Sequence, residues 1–324
     1  MEREDSLDNT GHTPCEARGG STVGAALYDQ ICDPKLLQRA LDRVARNNGG
    51  PGVDGVTVEQ FLKEAEWKLE EIRRDLDLAC YAPDRLLHMT VPKPDGRARE
   101  LAIPTVRDRV TLTAIAWTLD TILDPEFSPS SFAYRTGRSI RDAIDMICVY
   151  RDAGCRWATH VDIETFFDDI DRELLLTLLL RRVDDNEILS LVEAFLEAPA
   201  LCNGEPDYPE RGISQGSPLS PLLSNLYLHE LDVALEQDGG PFVRYADNIL
   251  ALSETEAAAR AVLQRIVLDL HALGLSPGEE NTYLTSFERG FRFLGAHFLG
   301  NSVRMPGREG RIRISGGAIG RGPT

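Results

Sequence analysis

The chain has 324 residues and a formal net charge of −17 at pH 7, long enough to bury a large core and to divide into two packed subdomains. An acidic balance of this size argues against a protein that coats nucleic acid non-specifically, and leaves open a local basic channel or a salt-adapted surface. The six cysteines show no C-x-x-C pair and the six histidines no H-x-x-x-H spacing, which argues against zinc and a disulfide framework; no long apolar run or leader occurs, so a cytoplasmic protein without membrane contact is expected.

Residues 1–24 are polar, rich in Gly, Ser and Thr, and expected to be disordered. Asp33-Pro34 forms an N-cap and N1 pair for a helix that stops at Asn47-Asn48-Gly49-Gly50. Thr57 and Gln60 have capping-box spacing ahead of one amphipathic helix running to about Leu78. A hairpin follows, with Leu87 to Lys93 and Arg99 to Pro104 flanking Pro94-Asp95-Gly96. Its cations, Lys93, Arg97 and Arg99, are either plainly solvated or suited to a bound triphosphate. Asp108 to Leu123 reads as a helix. The basic, aromatic loop Ser130 to Ser139 precedes another, Ile140 to Tyr150.

The strand-like run Trp157 to Ile163 carries Asp162 near its end, and Asp171 caps a helix from Glu173 to Arg182. Asp168 and Asp169, in the intervening turn, read as cap or surface residues. The stretch Arg211 to Asn225 is a loop entering a helix near Pro221, and Gln215-Gly216 at that junction suits nucleotide contact through exposed backbone N–H groups. Phe242 to Tyr245 and Ile249 to Leu252 are strands about the polar pair Asp247-Asn248, which suits a two-residue turn. Turn chemistry alone accounts for a carboxylate at such a tip. If the Asp162 strand lies beside this hairpin, however, Asp162 and Asp247 meet, and two adjacent carboxylates call for a cation such as Mg²⁺ between them. The chemistry suggested is metal-assisted phosphoryl transfer. Ser253 and Glu256 form a capping box for a helix closed by Gly274, Phe291 to Leu299 is a last strand pair, and a loose tail begins at Gly300.

The ordered set Gly50-Pro51-Gly52-Val53-Asp54-Gly55, Ile103 to Val110, Asp162 to Asp168, Gln215 to Pro221 and Tyr245-Ala246-Asp247-Asn248 resembles the motifs of reverse transcriptases of the bacterial group II intron and retron-like class. The resemblance implies an α+β, right-hand polymerase fold of fingers and palm, with an antiparallel palm sheet backed by helices and the thumb missing or truncated. It places the fingers mainly in residues 25–155, the palm in 156–300 with a nucleotide-pocket insertion at about 184–225, and a loose tail in 301–324. It implies an RNA-directed DNA polymerase acting on an RNA template, a DNA or RNA primer and dNTPs. Asp162, Asp247 and the backbone of Ile163 would hold two Mg²⁺ ions. Lys93, Arg99, Gln215 and Gly216 would bind the nucleotide, and Phe167 would exclude a 2′-hydroxyl or serve as a core aromatic.

Two positions depart from the family pattern. Asn248 stands where a second Asp is usual, which implies weaker Mg²⁺ binding and a preference for Mn²⁺ unless the residue serves only the turn. Asn281 stands where Lys is usual. With the short chain end, these departures raise a second reading: a catalytically weakened RNA- or protein-binding domain, as in a decayed intron maturase or an antiviral defence component. On the polymerase reading, a non-coding RNA or a protein partner would supply the thumb's grip on the template.

Overall fold

The structure is a computed structural model that describes residues 27–92, 98–202, 205–305 and 313–314. Four helices open the described residues: α1 (Leu27–Ile31), α2 (Pro34–Asn47), α3 (Val58–Lys63) and α4 (Ala65–Asp77). Asp33 caps α2 by accepting from the Lys35 N–H at 2.9 Å, and Thr57 and Gln60 bond reciprocally as a capping box. The single helix expected to run to Leu78 is broken at Glu64, whose φ of −120° leaves the helical region. The apolar residues on either side keep helical phase, so the pattern gives no sign of the break.

Strands β1 (Leu86–Pro92) and β2 (Ala98–Ile103) form the expected hairpin, antiparallel with Leu87 opposite Ile103. Lys93, Arg97 and the turn lie outside the described residues. Helix α5 (Val106–Leu123), capped by Thr105, is buried around most of its circumference; α6 (Ile140–Asp152) follows. Then come β3 (Trp157–Asp162), the single turn α7 (Phe166–Asp169), α8 (Arg172–Leu180) and α9 (Asn186–Glu197). Short strands β4 (Ala200–Cys202) and β5 (Glu205–Asp207) extend the hairpin sheet to the order β2-β1-β4-β5.

Helix α10 (Ser220–Gln237) leads to β6 (Phe242–Tyr245), β7 (Asn248–Ser253), α11 (Glu256–Ala272) and β8 (Tyr283–Ser286). The central sheet has the order β6-β7-β3-β8, antiparallel throughout. Both of its faces are covered, which is why β7 reads as an apolar run rather than an alternating one and why Thr159 and His160 of β3 are buried along with Ala158 and Val161. Ile249 and Ala251 face the core shared with α5, α8, α10 and α11; Leu250 and Leu252 face a second core with α6 and a cluster of phenylalanines.

Two local expectations fail. The N-cap of α11 is Thr255, accepting from the Ala258 N–H at 3.2 Å, because Ser253 is spent as the last ladder residue of β7. Past Gly300 the chain is not loose at once. β11 (Ser302–Arg304) pairs with β10 (Ala296–Leu299), which pairs with β9 (Phe291–Phe293), and β12 (Arg313–Ile314) completes this sheet. The expected disorder of residues 1–24 falls outside the described residues.

Candidate active site

The register of the central sheet builds the site. Asp162 ends β3 directly opposite Asn248, and Asn248 is opposite Tyr245, so the three side chains form one row across the rim of the sheet. The tight turn is therefore Ala246-Asp247 and not Asp247-Asn248: Asn248 is drawn into the ladder by its pairing with Tyr245. Ala246 takes the positive φ, +58°, that the first central position of a primed hairpin turn requires. Asp247 stands in the turn beside Asp162. On the other flank, β8 runs with His160 opposite Tyr283, and the same register carried two residues further brings Asn281 to Asp162.

Each carboxylate has an amide against it. Asn281 Nδ2 donates to Asp162 Oδ2 at 2.9 Å, and Asn248 Nδ2 to Asp247 Oδ1 at 3.3 Å. Asn281 is itself held, since its carbonyl accepts from His160 Nδ1 at 2.6 Å. Among the described residues no cluster of three or more His, Cys, Asp or Glu side chains is suited to a metal ion. The further oxygen available is backbone. Ile163 is bridged to Pro277 by bonds from the flanking residues, Glu164 N–H to Ser276 O at 3.0 Å and Gly278 N–H to Asp162 O at 2.8 Å, a pattern that spends neither polar group of Ile163 itself. Two carboxylates and a backbone carbonyl are hard oxygen donors, the set that suits Mg²⁺ or Mn²⁺.

Asp162, Ile163, Phe167, Gln215, Gly216 and Asp247 line one cavity of about 1820 Å³. Phe167 is half-buried and meets the buried Phe166 edge-on, ring centroids 5.3 Å apart. The segment 211–216 is stitched to elements on both sides of the cavity. Gly212 N–H donates to Ile170 O and Ile213 N–H to Phe167 O, both at 2.8 Å, while Ala102 N–H of β2 donates to Gln215 O at 3.1 Å. Gly212 permits this seam: at φ +86°, a Cβ there would lie 2.7 Å from the Asp168 carbonyl oxygen. Gln215-Gly216 is thus anchored against β2 rather than at a helix start, for α10 begins only at Ser220. Arg99 lies on β2 opposite Val91. Lys93 lies outside the described residues.

The opposite wall holds residues that sequence reasoning passed over. Arg109 and Trp117 of α5 line the cavity together with Tyr134, which has a positive φ of +61°. Arg109 is 9% exposed; its Nη2 donates to the Gly50 carbonyl at 2.7 Å and its Nε has no hydrogen-bond partner among the described residues. Burial depresses its guanidinium from the ordinary value. In the sequence Arg109 falls within the Ile103 to Val110 motif and a helix start, and neither gives it a role in the site. Tyr134 at least belongs to a loop singled out as aromatic and basic.

Comparison with known proteins is consistent with this geometry. A family model described as "Reverse transcriptase (RNA-dependent DNA polymerase)" matches residues 91–298. Protein YkfC of Escherichia coli K12 is 27% identical, covering 88% of this chain and 84% of YkfC. The group II intron-encoded protein LtrA of Lactococcus lactis is 32% identical over 65% of this chain, which spans only 35% of LtrA's length. Among solved structures, telomerase from Candida tropicalis in complex with a fragment of telomeric RNA superposes with a TM-score of 0.58 at 13% identity, over 79% of this chain and 50% of that one. That last likeness shows the fold alone. No helix among the described residues is long and apolar enough to cross a membrane.

Proposed function

From the premise that the chain belongs to the reverse transcriptase family, we propose that it is an RNA-directed DNA polymerase adding dNTPs to a primer 3′-hydroxyl, with Asp162 and Asp247 as its metal-holding carboxylates. The observation that carries this reading is the sheet register, which sets Asp162 beside the Asp247 turn on the wall of a cavity shared with Gln215, Gly216 and Phe167. Divalent ions held by Asp162, Asp247 and the Ile163 carbonyl would supply activation of the primer hydroxyl and stabilisation of charge on the leaving pyrophosphate.

The chain's own residues do the rest. The seam at Gln215-Gly216 forms the floor on which a nucleotide lies. Phe167 projects from a turn fixed by the bond to Ile213 and would fill the space beneath the sugar that a 2′-hydroxyl needs. Lys93 and Arg99 would meet the triphosphate as cations. RNA is the template class suggested by the matching family, described as RNA-dependent DNA polymerase.

The two departures from the family pattern flank the same carboxylate, Asn248 as its cross-strand partner and Asn281 as its hydrogen-bond donor. One replaces an expected anion and the other an expected cation, so their formal charge changes cancel around Asp162. The same two amides also favour the alternative, a weakened domain retained for RNA or protein binding, because neither can do what a second carboxylate and an ammonium would. Primer extension on an RNA template with Mg²⁺ and with Mn²⁺ decides between them. Template-dependent extension that is lost in the Asp162→Asn variant supports the polymerase; RNA binding without extension under either ion supports the alternative.

A further inference from the structure

Beneath the turn that carries Asp247 lies a buried ion pair with no assigned part in the chemistry. Arg244 of β6 and Asp232 of α10 are both fully buried. Arg244 Nε donates to Asp232 Oδ1 at 2.7 Å and Nη2 to Oδ2 at 2.5 Å, a bidentate fork. Its Nη1 is then aimed upward along the strand. It donates to Asn225 Oδ1 at 3.0 Å and to the carbonyl of Ala246 at 3.1 Å, the first residue of the turn. Asn225 Nδ2 in turn donates to the Ala133 carbonyl at 2.9 Å, immediately before Tyr134 on the opposite wall of the cleft.

Stability is a poor explanation for this arrangement. Removing a guanidinium and a carboxylate from water costs much of what their attraction returns, and well-packed apolar replacements are often at least as stable. What an apolar pair would lack is a donor for the Ala246 carbonyl. Ala246 sits at φ +58°, a conformation an L-residue with a Cβ resists and keeps only where its surroundings over-determine it. We propose that Arg244 is a positioning residue: its fork is locked by Asp232 so that Nη1 fixes the Ala246 carbonyl, which sets Asp247 beside Asp162, while Asn225 couples that turn to the Tyr134 segment. The consequence for catalysis rests on the metal-site reading of Asp162 and Asp247; the clamp itself rests on geometry alone.

The test uses two variants of the full chain. Asp232→Leu with Arg244→Met removes the charges together, and Arg244→Lys keeps a cation against Asp232 without the planar fork. Amide hydrogen exchange at residues 246–248 should rise about tenfold or more in both, with the rest of β3 and β7 unchanged and the double variant melting close to wild type. Mn²⁺ affinity, followed by the spin-resonance signal of the free ion, should fall about tenfold, the usual effect of removing a group that orients metal ligands. Unchanged exchange at the turn, in whichever variant melts like wild type, overturns the proposal and leaves the pair purely structural. If the double variant does not fold, Arg244→Lys carries the same reading. Should wild type bind no Mn²⁺ while the variants still loosen the turn, the metal reading falls and the clamp stands.

Discussion

Two groups of carboxylates in this chain carry the same functional group in opposite circumstances. At the rim of the central sheet, Asp162 and Asp247 line an open cavity and are met by the neutral amides of Asn281 and Asn248. At the start of α5, Asp108 is 1% exposed and accepts the Tyr81 hydroxyl at 2.7 Å and the Asp84 N–H at 2.9 Å. Burial, the largest influence there, pushes the Asp108 carboxyl up to about 6. Fixed donors and no adjoining space make Asp108 a joint between α5 and the chain leading into β1. Adaptable amide donors and an open side make the rim pair available for a ligand. Partners and space, more than the residue type, divide the structural carboxylate from the one fit for chemistry.

The sharpest way to break this comparison is at the rim. Asp162→Asn or Asp247→Asn should lower primer extension by on the order of a thousandfold or more, since each would take an anionic oxygen from the proposed metal site, where charge would develop. Thermal melting of both variants should stay near wild type because the two side chains lie at the edge of the core. Retention of more than a tenth of the activity by a folded variant would sink the metal site.

At the buried joint the expected effect is on stability and its pH dependence. The folded value of about 6 for Asp108 lies above its ordinary 3.8, so between these pH values the folded chain binds more protons than the unfolded one. Its contribution is therefore fully present below about pH 4 and lost as pH rises through 6, a change of roughly 3 kcal/mol at most. Urea unfolding of wild type and Asp108→Asn should show wild type losing stability relative to the variant between pH 4 and 7. A pH-independent difference would mean that burial does not perturb Asp108, and the contrast would collapse.

Phe167 sits between the two situations, half in the core and half in the cavity. Phe167→Val should raise ribonucleotide relative to deoxyribonucleotide incorporation by about tenfold, if the ring is worth roughly 1.4 kcal/mol of steric discrimination. Unchanged selectivity with a melting temperature lowered by the loss of ring packing would instead place it with the core aromatics.

The smallest effect is expected at Asn248. Its place opposite Asp162 gives Asn248→Asp a direct electrostatic route to the proposed metal site, and the Mg²⁺ concentration for half-maximal extension should fall by a few fold, roughly 1 kcal/mol. Wild type should correspondingly favour Mn²⁺. Superimposable Mg²⁺ and Mn²⁺ titrations for the two proteins would show that position 248 serves the ladder and not the ion.

Features set within a few residues were legible in the sequence. The Asp33 cap and the Thr57 and Gln60 capping box depend on neighbours two or three positions away, and the β1–β2 and β6–β7 hairpins on strands adjacent in the chain; the structure has them all. The family was legible too, through several motifs in order. Other features were decided by partners far along the chain. Asn281 reaches Asp162 across 119 positions, and Ser214 Oγ meets the Ala102 carbonyl across 112. The shift of the turn to Ala246-Asp247 follows from ladder pairing, and the α11 cap moved because Ser253 was already committed to β7. A sequence records which residues have apolar period and which can cap or turn. The partner of each polar group, and whether a carboxylate ends up sealed like Asp108 or open like Asp162, is settled only when sheet register and helix packing bring distant segments together and exclude water from one site but not the other.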